Sequence, residues 1–220
     1  MKSPQASAAR IAGVFQGRWL KGYVQGKLAT DPLFNQALQE VQQYKGGIID
    51  LGCGLALFAL WLREHGMMLS YRGCDLVAWK IKAAEAAMQK LGHANIVLEI
   101  AEMTEFPLED AAVVCVFDVL HYLSADVQHQ LVTRLAMAAR GGAIVLIRTG
   151  VKGCGWRSFL TLIQECWIKI TGWIQGGSVT LPDLKNLIEL FQSQGCLVES
   201  RPLWGKTPFS NYWLKVSWRR

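Results

Sequence analysis

No stretch of the 220 residues supplies the roughly 18 uninterrupted apolar residues that a membrane-spanning helix needs. The start, Met1-Lys2-Ser3-Pro4-Gln5-Ala6-Ser7-Ala8-Ala9-Arg10, has no apolar run of the kind that marks an export signal. Both absences give a cytoplasmic protein as the expectation. The six cysteines, Cys53, Cys74, Cys115, Cys154, Cys166 and Cys196, form neither a CxxC pair nor a Cys/His pairing. A disulfide framework and a zinc site are therefore not indicated, and no metal is expected. Three of the cysteines lie in apolar strand-like runs and read as reduced core residues. There is no internal repeat or low-complexity segment.

Acidic residues are scarce at both ends. Residues 1–45 hold six Lys/Arg against two acids and residues 151–220 nine against four, while residues 46–150 hold eight against eleven. The flanks are thus +4 and +5 around a centre of −3, within a total of +6. Basic flanks suit an anionic carrier or substrate, a membrane surface, or nucleic acid; solubility charge on exposed helices explains them equally.

The chain length suits one well-buried α/β domain with additions. Its organising stretch is Ile48-Ile49-Asp50-Leu51-Gly52-Cys53-Gly54-Leu55-Ala56. Two β-branched residues lead to an acid and a Gly-x-Gly turn, and Leu57-Phe58-Ala59-Leu60-Trp61-Leu62 resumes at helical spacing, so the segment reads strand, turn, helix. From there the alternation predicts strand 48–51, helix 55–65, strand 68–74, helix 77–91, strand 95–100, strand 112–118, helix 124–139 and strand 142–148. Near-continuous apolar runs such as Ala111-Ala112-Val113-Val114-Cys115-Val116-Phe117 read as parallel strands covered on both faces. A doubly wound sheet follows, with ligands at the carboxyl ends of its strands.

Before this series the spacing predicts two helices, one over residues 10–28 and one opened by Thr30-Asp31-Pro32 and reaching about Tyr44. After it, Trp156, Phe159, Leu160, Ile163, Trp167, Ile170 and Ile174 fall on one stripe of a helix apolar over more than half its circumference. Leu181-Pro182-Asp183 opens a helix to about Gln194, Gly195 ends it, and residues 196–200 and 211–218 read as strands. Six of the nine tryptophans follow residue 150.

The Gly-x-Gly turn, followed by Asp75 twenty-one residues after Gly54, fits nucleoside binding. A dinucleotide fold wants a third glycine where Leu57 stands, which weakens that reading. The pattern instead resembles motif I of the Rossmann-like class I S-adenosylmethionine (SAM) methyltransferases, Asp-x-Gly-x-Gly-x-Gly, with Asp50, Gly52 and Gly54 matching and Ala56 replacing the last glycine. The resemblance covers residues 46–150 by motif and the remainder by order of elements. It implies a seven-stranded, mostly parallel sheet, with residues 1–45 as an N-terminal helical extension or lid. Residues 46–220 then form the SAM-binding domain, with a helical insertion at about 152–178 before the last strands.

Carried over residue by residue, the resemblance implies a cofactor site of Asp50, Gly52, Cys53, Gly54, Asp75, Leu76, Glu102, Met103 and Asp118. Asp75 would take the ribose hydroxyls, Glu102 the adenine amino group with Met103 beside it, and Asp118 the methionine moiety or the substrate. His121 and Tyr122, in the loop leaving the fourth strand, are the catalytic candidates: a histidine titrating near neutrality can take an acceptor's proton, or simply wall the cofactor. The fourth strand is not followed by Asn/Asp-Pro-Pro-Tyr/Phe, so transfer to nucleobase amines, and hence a DNA partner, is not expected.

Trp19, Tyr23, Lys27 and Trp156 are the candidate substrate wall, with Phe159, Trp167 and Trp173 beyond and Lys21, Lys152 and Arg157 interspersed. That combination suits a hydrophobic, aromatic small molecule with an acidic tail, or an acyl group on an acidic carrier protein. The same aromatic surface could instead pack the additions onto the core or form a homodimer. The Arg18-to-Pro32 stretch and the Trp-rich tail also look like methyltransferases that accompany aryl-polyene or similar pigment pathways. An RNA methyltransferase and a SAM-binding protein without catalysis stay open as alternatives, although no recognised RNA module is present.

Overall fold

β-branched and apolar residues at Gly47–Leu51 form β1, which pairs in parallel with β2 (Tyr71–Asp75) on one side and β4 (Ala111–Phe117) on the other. This is seen in a computed structural model that describes residues 3–152, 180–204 and 210–219. β3 (Ile96–Ile100) adds outside β2, and β5 (Ile144–Gly150) outside β4, again in parallel. β6 (Cys196–Pro202) and β7 (Asn211–Trp218) complete a seven-stranded sheet in the order β3-β2-β1-β4-β5-β7-β6, with β7 antiparallel to both neighbours. Successive crossovers run outward from β1 to β3, and the chain then returns to the far side of β1. The strand order therefore reverses between β1 and β4, where open α/β sheets bind their ligands.

Alternation along the strands divides the core into two layers. Ile48, Val113, Cys115, Leu146 and Trp213 face the helices α1 (Pro4–Val14), α2 (Arg18–Thr30), α3 (Leu33–Val41), α4 (Leu57–Glu64) and α5 (Ala78–Leu91). Ile49, Leu51, Val114, Val116, Val145 and Ile147 face α6 (Ala125–Arg140) and α7 (Leu184–Ser193), which bring Leu131, Leu135, Leu187 and Phe191. Every residue of α4 is buried, because the sheet covers one side and the N-terminal helices the other. That explains why its sequence is apolar nearly all round.

The N-terminal segment differs from the expected two helices. Ser3 caps α1 through its hydroxyl, with Pro4 in the first turn, so helix starts well before Arg10. Phe15 turns the chain to an extended conformation and Gly17, at φ +81°, opens α2 separately. α1 is pinned to α4: Arg10 Nε donates to Glu64 Oε2 at 2.7 Å, and the Ser7 hydroxyl to Glu64 Oε1 at 3.4 Å. The expected helical insertion at 152–178, including Trp156, lies outside the described residues apart from Lys152. Among the described residues no helix is long and apolar enough to cross a membrane, and no cluster of His, Cys, Asp and Glu could hold a metal ion.

Candidate functional site

β1 ends in the turn Gly52-Cys53-Gly54, whose backbone is fixed from the neighbouring strand. The amides of Gly52 and Cys53 both donate to the Cys74 carbonyl, at 2.8 and 2.9 Å. Gly52 sits at φ +75°, and a Cβ there would lie 2.4 Å from Val119 Cγ1, so glycine is needed for both conformation and space. Gly52→Ala is accordingly expected to cost about 2–4 kcal/mol, the sum of left-handed strain and overpacking against a stiff β-branched neighbour. Denaturant unfolding checks it: adding Val119→Ala should recover the steric part, and a loss under 1 kcal/mol for the single variant would contradict the packing.

Gly54, at φ +55°, is different. A Cβ there would sit in ordinary van der Waals contact, 3.9 Å from Asp75 Oδ2 and from Lys80 Cδ, so glycine is needed here for conformation and not for space. Its amide donates to Asp75 Oδ2 at 2.9 Å, while Asp75 Oδ1 accepts from the Val77 amide at 2.8 Å. Each carboxylate oxygen thus takes one backbone N–H and keeps further acceptor capacity. Ala56, where the resembled motif has glycine, adopts the left-handed conformation (φ 48°, ψ 37°) immediately before α4, so the turn keeps its shape with a methyl group added. Leu76, beside Asp75, is 40% exposed and offers an apolar surface at the strand end.

Asp50 belongs to the buried end of β1. Its carboxyl is buried beneath the turn and accepts from the Tyr71 hydroxyl, and burial pushes it up to about 7 although the hydrogen bond opposes the shift. Lys80, which sequence reasoning passed over, is buried close to Gly54 and Asp75. Burial lowers its pKa, and the Asp75 carboxylate acts in the opposite sense.

At the carboxyl ends of β4 and β5 lies a second set of groups that sequence reasoning saw only in part. Asp118, at φ +58°, accepts from Arg148 Nε at 2.7 Å, and the same guanidinium binds both oxygens of Asp31, with Nη2 to Oδ2 at 2.8 Å. Lys27 reaches in from α2 and places its ammonium 3.2 Å from Asp118 Oδ2 and from Asp31 Oδ2. Burial disfavours charge on all four, but the two cations outweigh it and hold both carboxyls below their ordinary range; the carboxylates in turn raise Lys27 and Arg148. Lys27 therefore forms part of a neutral ion cluster, and Asp31 spends most of its carboxylate on Arg148 while one oxygen also accepts from the Leu33 amide at the start of α3. The missed signal was Arg148 itself. A charge that directly follows the apolar run Ile144-Val145-Leu146-Ile147 within one strand must find a buried partner.

His121 and Tyr122 follow Asp118 in a short 3-10 turn, Leu120–Tyr122. The His121 ring is 2% exposed; its Nδ1 lies 3.3 Å from the Thr149 hydroxyl, and the Tyr122 ring is at 4.3 Å. On α2, Trp19, Tyr23 and Lys27 recur every fourth residue along one face, with Trp19 stacked on Tyr23 (centroids 6.0 Å, 13° between planes) and 67% exposed. The structure thus brings Gly52, Cys53, Gly54, Asp75 and Leu76 together at the carboxyl ends of β1 and β2, and Asp118, His121, Lys27 and Tyr23 at the end of β4. Glu102 and Met103 lie in the loop after β3, and Trp156 is outside the described residues.

Residues 48–142 match the family model described as a methyltransferase domain. A search of curated proteins returned no match. Among solved structures, the chain is similar to magnesium protoporphyrin IX methyltransferase of Synechocystis PCC 6803 with bound SAH, at 15% identity and TM-score 0.67, over 97% of this chain and 94% of that one. It is also similar to mitomycin 7-O-methyltransferase (16%, TM-score 0.65, covering 92% of this chain and 57% of that one). A third likeness is to an O-methyltransferase family protein of Burkholderia thailandensis (19%, TM-score 0.60, covering 100% and 64%).

Proposed function

We propose that this chain, whose residues 48–142 match the methyltransferase-domain model and whose fold is similar to that of SAM-dependent methyltransferases, transfers a methyl group from SAM to a small hydrophobic acceptor. SAM is the cofactor of this class. The observation that carries the proposal is the Gly52–Gly54 turn with Asp75 bound to its last amide. That arrangement offers carboxylate oxygens beside a glycine backbone, and it lies in the central region of net −3. It fits a cofactor that has a ribose diol and a positive charge and lacks phosphates. When bound, SAM supplies an electrophilic methyl group. The protein's own residues bind and orient: Asp75 for the ribose, Leu76 and Met103 as apolar walls, Glu102 for the exocyclic amine, and the Asp118 end of β4 for the methionine moiety or acceptor. His121 and Tyr122 are the candidates for handling the acceptor's proton.

The acceptor class is inferred from α2, whose aromatic stripe of Trp19 and Tyr23 leads through Lys27 to Asp118. Such a wall suits an aromatic or phenolic compound, free or carried on an acidic acyl carrier. Similar structures named for magnesium protoporphyrin IX and mitomycin support a small-molecule acceptor. Incubation with labelled SAM and phenolic acyl compounds, free and carrier-bound, alongside bulk RNA, tests this reading. Label in a small molecule supports it; label appearing only in RNA overturns it.

The cofactor assignment has its own test. Asp75→Ala removes charged hydrogen bonds worth about 1.5–3 kcal/mol each, so SAM affinity measured by calorimetry should fall about tenfold or more. Circular dichroism shows whether the fold survives, since Asp75 also holds the Gly54 and Val77 amides. Unchanged affinity in a folded variant sinks the assignment.

A further inference from the structure

The loop between β3 and β4 contains Glu102 and Met103 but no regular element to hold them. What fixes it is largely one side chain from across the sheet face. Arg134, on α6, donates through Nη1 to the Met103 carbonyl at 3.2 Å and to the Thr104 carbonyl, and through Nη2 to the Phe106 carbonyl at 2.6 Å. The Glu105 and Phe106 amides close a turn onto the Glu102 carbonyl at 3.2 and 3.1 Å. The Phe106 ring is buried against the α6 layer, with the Arg72 guanidinium 4.9 Å above it. A planar guanidinium that satisfies three carbonyls is a rigid template, and no other side chain offers donors in that fork. α6 itself is anchored by Leu131, Val132 and Leu135, all fully buried.

We infer that Arg134 is a positioning residue for base recognition: by clamping the carbonyls of residues 103, 104 and 106 it holds the Glu102 carboxylate and the Met103 amide where they read the adenine edge of the cofactor. The inference rests on the SAM-binding reading above and adds a residue that touches neither cofactor nor substrate. A clamped carboxylate accepts from an exocyclic amine and repels the carbonyl oxygen that replaces it in hypoxanthine. A released loop can turn the carboxylate aside, so it binds both bases more weakly and distinguishes them less.

The test compares S-adenosylhomocysteine with S-inosylhomocysteine by calorimetry on the full chain. The wild type is expected to prefer the adenine ligand by about tenfold or more, the worth of one charged hydrogen bond. Arg134→Ala should lower adenine affinity and bring the two ligands within about threefold, and Arg134→Lys, which can hold one carbonyl at a time, should fall between. Val132→Ala loosens the same helix from its buried side and serves as the control, with a lowered melting midpoint and the wild-type ratio. A wild-type ratio in folded Arg134→Ala overturns this inference alone; a wild type that binds neither ligand overturns the SAM reading and this inference with it.

Discussion

Replacing Arg148 by methionine is expected to lower the free energy of unfolding by about 3–5 kcal/mol, the cost of stripping the partner from buried charges. Arg148 is 2% exposed and binds two carboxylates, so its loss leaves Asp31 and Asp118 facing each other with Lys27 as their shared cation. The cluster goes from neutral to −1, with Asp31 the most buried of the groups that remain. Denaturant unfolding measures the loss, and a decrease below about 1 kcal/mol would show that solvent already screens the cluster. The pH dependence has a definite sign. Both carboxyls are held below the ordinary value of 3.8, so they contribute stability that is present above that value and lost as pH falls through their folded values. In the methionine variant those folded values rise, and acid unfolding should begin at higher pH than in the wild type. Removing one carboxylate as well, in Arg148→Met/Asp31→Asn, restores neutrality and should recover part of the loss.

The second large effect is chemical. His121→Ala is expected to reduce turnover by about 10²–10⁴-fold while leaving SAM affinity nearly unchanged, if the imidazole takes the acceptor's proton. The role needs one tautomer. With the Thr149 hydroxyl donating to the Gly150 carbonyl at 3.1 Å, its oxygen can accept from Nδ1–H of His121, 3.3 Å away, and that tautomer leaves the lone pair on Nε2. Thr149→Val should then lower turnover less than His121→Ala and alter its pH profile. Turnover near wild type in His121→Ala, with the acceptor found in the labelling experiment, would make the ring a wall of the pocket and point to an acceptor that needs no local base.

Much of the fold was legible because its signals are local. Apolar strand runs, helix spacing and turn residues fixed the order of strands and helices from Gly47 to Gly150 within a few residues, and Gly195 ended a helix where expected, at φ +87°. The Gly52–Gly54 turn and Asp75 were also readable, since one strand-turn-helix unit and the next strand end supply them. What escaped was set by long-range pairing. Asp31 and Arg148 are 117 residues apart, and Asp31 resembled a helix cap because it does bind the Leu33 amide. Arg134 looked like the polar face of an ordinary helix, and its three acceptors are backbone carbonyls that no residue type advertises. The third N-terminal helix was missed because residues 15–17 interrupt a spacing that otherwise continues across them.

The position of β7 bears on how the chain can be assembled during synthesis. β7 lies between β5 and β6 although both precede it in sequence. As the chain emerges from the ribosome, the parallel core from β1 to β5 can assemble as each crossover helix arrives, but β6 then has no strand to join. The outer rim of β5 stays unpaired, and α7, which packs with β6, has only part of its platform. Closure of the sheet waits until Asn211–Trp218 has cleared the exit tunnel and can pair with β6 on one side and β5 on the other. For that interval the nascent protein carries two open backbone edges, the state in which a chain is most prone to pair with a stranger and most in need of a chaperone.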